Sequence, residues 1–217
     1  MTKRCDSEMQ GEDRRHENEL VTFLEQQKKD HEERFFFAQL DLGSEVNWFF
    51  TQGLGALKQE LYLPASASFI IGIEASLRVT QAQIVKNGIV DELPPEKTLS
   101  NRLLNEAGMN GLPVHLLAFS TEINFNEKLA TKKTEKIDVE IVRVRHNFCH
   151  GNILEYRNSE LGKDLIFFTP ECLLDLTHEL YNISKKWLTA LDEFRRERFP
   201  CTKVLPTNEL TSAKLEN

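Results

Sequence analysis

The chain has 217 residues and a formal net charge of −7 at pH 7, so it lacks the overall positive charge with which proteins wrap duplex DNA. Hydrophobic residues make up 40% and charged residues 28% of the sequence, which is typical of a globular domain and excludes a disordered chain. Any contact with nucleic acid must therefore be local.

Targeting signals and metal motifs are missing from the sequence. No apolar stretch approaches the roughly 20 residues that a membrane-spanning helix needs, and the polar N-terminus lacks the apolar segment of a secretory signal. The four cysteines stand far apart without a C-x-x-C pair, which disfavours a disulfide framework or a zinc site. The sequence predicts a soluble cytoplasmic protein that makes no membrane contact and needs no cofactor.

Helical periodicity dominates the chain between two polar ends. We predict a polar, flexible N-terminal segment over residues 1–18, one helical domain over residues 19–199 and a polar tail over residues 200–217. Apolar residues between 19 and 40 predict one long helix or two shorter ones. The run Phe35-Phe36-Phe37 cannot place all three rings on one side of a helix, so it is expected to be divided between the core and an exposed edge.

Three more helices are predicted before residue 110. The first starts at Ser44 as N-cap and is stopped by Pro64, although Gly53 and Gly55 weaken it. The second covers residues 66–87 and carries the clearest buried stripe. The third covers residues 100–107, and the segment 114–136 is ambiguous between a helix and a structured loop.

The helix predicted over residues 134–150 carries the densest group of polar side chains. At 100° per residue, Ile137, Ile141, Val144 and Phe148 define its core side. Arg143, His146, Asn147 and His150 fall on the opposite side, and Gly151-Asn152 ends the helix as a C-cap does.

The segments on either side of residues 158–163 predict a short β-hairpin after this helix. Thr169-Pro170-Glu171 then begins a final helix, with a hydroxyl cap, proline in the first turn and an acidic residue close by, and this helix extends to about Arg198. The chain is thus expected to form an all-α bundle of five to seven helices with one small hairpin.

Two interpretations of the polar cluster require no catalysis. His146 and His150 share a helix face at a spacing that can bind zinc, but no third ligand stands out, so a metal site is disfavoured. Basic residues near a helix C-terminus also interact favourably with the helix dipole. A solvated helix end in a structural or regulatory protein is therefore one alternative.

The third interpretation is RNA cleavage without a metal ion. Such a reaction needs a group that takes a proton from the 2′-hydroxyl or gives one to the leaving 5′-oxygen, and a cation that stabilises the negative charge on the phosphate. Histidine side chains can do the first near neutral pH, and the guanidinium of arginine suits the second.

The segment Arg145-His146-Asn147-Phe148-Cys149-His150 resembles the R-x4-6-H motif of the HEPN superfamily, in which a polar residue, here His146, usually follows the arginine. The resemblance implies a helical bundle that dimerises with the two motif helices facing each other, and a metal-independent endoribonuclease in a defence or toxin-antitoxin setting. Arg145 and His150 would be catalytic, while His146 and Asn147 would position the substrate. An antitoxin or regulatory protein is a possible partner. The alternative is a non-catalytic HEPN-like module that binds RNA, a nucleotide or a protein.

Two arginines compete for the phosphate. Arg145 matches the x4 form of the motif, but on an ideal helix it lies about 140° from His150. Arg143 matches the x6 form and lies only about 20° from His150. We keep Arg145 as the catalytic arginine and Arg143 as its rival or helper.

Two further residues are candidates for roles beside the motif. Glu74 interrupts the apolar stripe of the 66–87 helix and resembles an acidic residue that HEPN domains often carry near the motif, where it could orient an arginine or a histidine. It could equally pair with Arg78 at i+4. Cys149 lies beside His150, but neighbouring helix positions point about 100° apart, so a buried or half-buried cysteine is favoured over a nucleophile.

Overall fold

The computed structural model describes residues 3–86, 90, 92–131, 137–158, 162 and 166–199, and over residues 3–17 the backbone alone. Seven α-helices lie in this part of the chain: α1 (Lys3–Ala38), α2 (Ser44–Lys58), α3 (Tyr62–Lys86), α4 (Asn101–Met109), α5 (Phe125–Ala130), α6 (Glu140–Cys149) and α7 (Leu174–Arg198). Short 3₁₀ helices cover Val114–Leu117, Ile153–Tyr156 and Pro170–Leu173. The prediction of an all-α fold is confirmed.

The structure describes the backbone of the N-terminal segment from residue 3 but not the C-terminal tail. The segment predicted as a polar N-terminal tail has helical backbone from Lys3, continuous with the predicted helix beyond residue 19. The tail predicted over residues 200–217 lies outside the described residues. The Phe35-Phe36-Phe37 run divides as expected, because Phe37 is buried in the core whereas Phe35 is 57% exposed.

The predicted boundary between the second and third helices is wrong. The N-cap of α2 is Gly43, with φ of +90°, and α2 ends at Lys58. Pro64 lies in the first turn of α3 instead of stopping α2. Proline is tolerated there because the first N–H groups of a helix have no partner within it.

The core is built where α2, α3 and α7 pack together. Phe50, Phe69, Ile73 and Leu77 are fully buried there, together with Trp187 of α7. The indole Nε1 of Trp187 donates a hydrogen bond to Ser76 Oγ at 2.9 Å, so the largest buried side chain also has its polar atom satisfied.

Two glycines let α2 and α3 approach closely. A Cβ added at Gly53 of α2 would lie 2.8 Å from the Phe69 ring of α3, and one added at Gly72 of α3 would lie 2.8 Å from the Phe50 ring of α2. Each helix therefore places a phenyl ring over a glycine of the other. This reciprocal packing explains a glycine that the sequence pattern marked only as a weakness.

Alanine substitutions at Gly53 and Gly55 are expected to have opposite effects on stability. Gly53→Ala pushes a methyl group into the Phe69 ring and should lower the free energy of unfolding by about 1–3 kcal/mol. A Cβ at Gly55 meets nothing within 4 Å, so Gly55→Ala should raise it by roughly 0.5–1 kcal/mol through the lost backbone entropy of glycine. Urea unfolding of both variants tests this, and a loss of stability in both would contradict it.

Only part of the predicted β-hairpin lies in the described residues. Ile153–Tyr156 forms a 3₁₀ helix where a strand was expected, so that part of the prediction is wrong. One antiparallel bridge joins Asn158 and Phe167, in the position that a hairpin would pair. The loop between these residues lies largely outside the described part of the chain, and the hairpin itself stays a prediction.

The predicted start of the last helix is close to the observed one. Pro170–Leu173 forms one 3₁₀ turn with Thr169 as its N-cap residue, and α7 continues from Leu174. Among the described helices, none is long and apolar enough to cross a membrane.

Candidate functional site

Hydrogen bonds with the side chains of Asn101 and Glu122 fix the N-terminus of the motif helix α6. Val139 N–H donates to Asn101 Oδ1 at 3.1 Å, and Asn101 Nδ2 donates to the carbonyl of Ile137 at 2.9 Å. Glu140 N–H donates to Glu122 Oε1 at 3.0 Å. The helix begins at Glu140 after the non-helical residues 137–139, and residues 134–136 of the predicted helix lie outside the described part of the chain. Ile137 thus precedes the helix and is 49% exposed, so its prediction as a core residue is wrong.

The C-terminus of α6 is closed as predicted. Gly151 has φ of +67°, a conformation that glycine adopts without strain. Asn152 N–H donates to the carbonyl of Asn147 at 2.8 Å, and Gly151 N–H to that of Phe148 at 3.4 Å. This pair of bonds is the Schellman arrangement, which satisfies the last carbonyls of a helix.

The buried face of α6 is broader than the predicted stripe. Ile141, Val142 and Val144 are fully buried, and Asn147, predicted to be exposed, retains only 8% of its accessible surface. Beyond Gly151 the chain turns back, and Glu155 and Tyr156 of the Ile153–Tyr156 segment contact Asn147. The predicted exposure of Asn147 is therefore wrong, because a single-helix projection does not include the segment that follows.

The side chain of Asn147 makes three hydrogen bonds within the protein. Its Nδ2 donates to the Glu155 carboxylate and to Tyr156 Oη, the latter at 3.2 Å, and its Oδ1 accepts from Asn152 Nδ2 at 3.1 Å. Both ends of the amide are thus engaged within the protein. Burial raises the pKa of the Tyr156 phenol above its usual range.

Arg143 is held by two carboxylates. Its Nε donates to Glu140 Oε2 at 2.8 Å, its Nη2 contacts Glu140 Oε1 and its Nη1 pairs with Glu155. The hydrogen bonds to Glu140 raise the pKa of this guanidinium further. All three nitrogens of Arg143 therefore have acidic partners.

Arg145 points to a different element. Its Nε donates to Glu74 Oε2 of α3 at 3.0 Å, and both side chains are mostly buried, with 15% and 13% of their surface exposed. The other oxygen of Glu74 lies 3.7 Å from Arg78 Nη1. Glu74 thus contacts Arg78, as their i and i+4 spacing predicts, and also an arginine of the motif.

The two arginines differ in what remains available to a ligand. Within the described part of the chain, neither terminal nitrogen of Arg145 has a hydrogen-bond partner, and neither is an enclosed atom. Glu74 holds Arg145 by Nε and leaves both terminal nitrogens without an ion pair, whereas all three nitrogens of Arg143 are paired with carboxylates. Arg145 is therefore the arginine that can bind a phosphate without first losing an ion pair.

His146 and His150 lie together on the exposed side of α6. Their rings stack at 5.8 Å between centroids with 12° between planes, and both residues are exposed. This agrees with the helical spacing that placed them on one face. No group of three or more potential metal ligands occurs among the described residues.

Cys149 is exposed, so the prediction of a buried or half-buried cysteine is wrong. It lies one position before the C-cap of α6, where the core no longer covers the helix. Glu155, which joins Arg143 to Asn147, was not identified from the sequence. It lies in the segment interpreted as a strand, and no local pattern pointed to its contact with the motif helix.

The arrangement offers two accessible imidazoles and one guanidinium with a free edge, on a helix fixed at both ends. Imidazole can transfer protons near neutral pH and guanidinium can bind a phosphate, while no hydrogen bond joins Arg145 to His150 in the described structure. The chain matches no family model, no characterised protein and no solved structure.

Proposed function

We propose that the chain is a metal-independent endoribonuclease of the HEPN type. The observation that carries this proposal is that one helix bears the exposed His146 and His150 together with Arg145, whose Nε is held by Glu74 and whose terminal nitrogens have no partner among the described residues. Proton transfer and phosphate binding are the two functions that RNA cleavage requires.

In this proposal, the 2′-oxygen of a ribose attacks the adjacent phosphorus as it loses its proton, and the bond from phosphorus to the 5′-oxygen breaks. His150 takes the proton of the 2′-hydroxyl and gives it to the leaving 5′-oxygen, and Arg145 binds the phosphate oxygens. The products are a 2′,3′-cyclic phosphate and a 5′-hydroxyl end. His146 contacts the substrate, whereas Asn147 and Arg143 support the site by holding Glu155 against α6.

The active form is a homodimer in which the two motif helices face each other, because one chain supplies a single set of these groups. The proposed setting is the cytoplasm, in a defence or toxin-antitoxin system with a regulatory partner. Analytical ultracentrifugation of the full chain tests the dimer. A protein that cleaves RNA but sediments as a monomer would contradict this part of the proposal.

The test of the activity is cleavage of a mixed RNA in the presence of EDTA by the purified chain and by His150→Ala. The parent protein should cut and leave 2′,3′-cyclic phosphate ends, and His150→Ala should lose about 100-fold or more in rate. His178→Ala, at an exposed histidine of α7, is the matched control and should cleave normally.

Two outcomes would refute the nuclease. Cleavage that survives in His150→Ala would come from another source, and a folded parent protein without cleavage would exclude the activity. Retained RNA binding in a protein that does not cut would support the non-catalytic HEPN-like module instead.

A further inference from the structure

A cavity lies between the C-terminal half of α3, the segment 92–97 and α4. Its volume is ≈ 610 Å³, which is within the usual range for small-molecule sites. None of the residues proposed for RNA cleavage lines it. The cavity is therefore a separate feature that the proposed function does not explain.

Apolar side chains form much of the cavity wall. Ala82 and Val85 come from α3, Leu93 from the connecting segment, and Leu103 and Met109 from α4. Val85 and Met109 are 78% and 88% exposed, so the apolar surface continues to the entrance. Such a surface favours a ligand with an apolar body.

Two polar side chains of α3, Arg78 and Gln81, face this cavity one helical turn apart. Arg78 Nη2 donates to the carbonyl of Pro94 at 2.7 Å, and Gln81 Oε1 accepts from Asn110 Nδ2 at 2.6 Å. Arg78 Nε and Gln81 Nε2, in contrast, are buried without a partner in the described part of the chain. Both are N–H donors without an acceptor, on side chains that line the cavity.

The charges around the cavity limit the charge of that ligand. The lining contains three basic and three acidic side chains: Arg78, Lys86, Lys97, Glu92, Glu96 and Glu106. Glu106 is paired with Arg102 at 2.8 Å. A balanced lining of this kind disfavours a polyanion, whereas a single carboxylate fits the one guanidinium on the cavity wall.

We propose that this cavity binds a small monocarboxylate with an apolar body, whose carboxylate is held by Arg78 and Gln81, and that the bound ligand acts on Arg145 through Glu74. The link is a chain of ion pairs: Arg78 Nη1 lies 3.7 Å from Glu74 Oε1, and Glu74 Oε2 accepts from Arg145 Nε at 3.0 Å. A ligand carboxylate that binds Arg78 competes with Glu74 for this arginine. Glu74 then pairs with Arg145 only. The ligand site does not depend on the activity of the motif helix, and only its effect on RNA cleavage rests on the proposed function.

Binding is tested by calorimetry on the full chain with octanoate as the probe and 1-octanol as its uncharged match. Octanoate should bind about tenfold or more tightly than octanol, because a hydrogen-bonded charge pair is lost with the alcohol. Equal binding of the two, or no binding of octanoate at millimolar concentration, would overturn the proposal.

Two substitutions locate the site. Arg78→Gln should reduce the affinity for octanoate to that for octanol, while Lys28→Gln, an equal change of charge at a side chain of α1 that is 78% exposed and does not line the cavity, should leave it unchanged. Val85→Trp fills the entrance at an exposed position and should weaken both probes. This last variant keeps the test decisive if Arg78→Gln does not fold, since unaltered binding in Val85→Trp would place the probes elsewhere.

The link to the motif helix has a readout that needs no RNA. Coupling between two sites is reciprocal, so a change at Arg145 must alter the affinity for octanoate. Arg145→Gln frees Glu74 to hold Arg78 more firmly and should weaken octanoate binding by about fivefold or more. Arg143→Gln, on the same helix but paired with Glu140 and Glu155, should have no effect. Equal affinities in the parent and Arg145→Gln would refute the coupling and leave the nuclease proposal intact.

Discussion

Replacing Arg145 with alanine is expected to lower the rate of RNA cleavage by about 100-fold or more, the usual loss when a donor that stabilises transition-state charge is removed. Arg143→Ala should lose less than about tenfold, because a residue that only supports the site contributes less than one that contacts the phosphate. The two arginines differ in their ion-pair partners. Arg145 keeps two open nitrogens while Glu74 holds its Nε, whereas every nitrogen of Arg143 is bound to Glu140 or Glu155.

Single-turnover cleavage rates of the two variants provide the measurement, with circular dichroism to establish that both are folded. Arg145→Lys keeps the charge but loses the planar fork of guanidinium, so it should fall between the parent protein and Arg145→Ala. The opposite order, with Arg143→Ala inactive and Arg145→Ala active, would transfer the phosphate-binding role to Arg143.

Trp187→Ala should cause the largest loss of stability, about 3–5 kcal/mol in the free energy of unfolding. The side chain is fully buried between α3 and α7, and its indole N–H donates to Ser76 Oγ at 2.9 Å. Alanine would leave both a cavity and a hydroxyl without its donor. The melting temperature should fall by roughly 10 °C or more.

The second tryptophan is the matched control for this prediction. Trp48 is 62% exposed on α2, so Trp48→Ala should change the free energy of unfolding by no more than about 0.5 kcal/mol. Trp187→Phe retains most of the ring but not the N–H and should give an intermediate loss. Similar losses for the two alanine variants, measured by thermal unfolding, would contradict the central role of Trp187 in the core.

The main helices and the group of residues on the motif helix could be predicted from the sequence because both depend on local patterns. Apolar periodicity marks α3 and α7, Ser100 accepts from Leu103 N–H as an N-cap does, and Gly151 ends α6 in the predicted conformation. The stacking of His146 on His150 also follows from their i and i+4 spacing alone.

The errors arose where a distant segment determines the environment of a residue. The position of Asn147 opposite an apolar stripe predicts exposure to solvent, but the chain beyond Gly151 covers it with Glu155 and Tyr156. Gly53 looked unfavourable for a helix, and only the Phe69 ring of α3 explains why a side chain cannot be placed there. Neither contact can be recognised from the local sequence pattern.

The sequence by itself thus determined that the chain is helical, where its strongest helices run, and which polar residues the motif helix carries, since these follow from spacing over one or two turns. The tertiary structure decided which of those residues remain accessible. Glu74 lies 71 positions before Arg145, and Glu155 reaches Arg143 and Asn147 only after the chain reverses. Ion pairs of this kind depend on how the helices pack, and they distinguish an arginine that is free to bind a phosphate from one that is not.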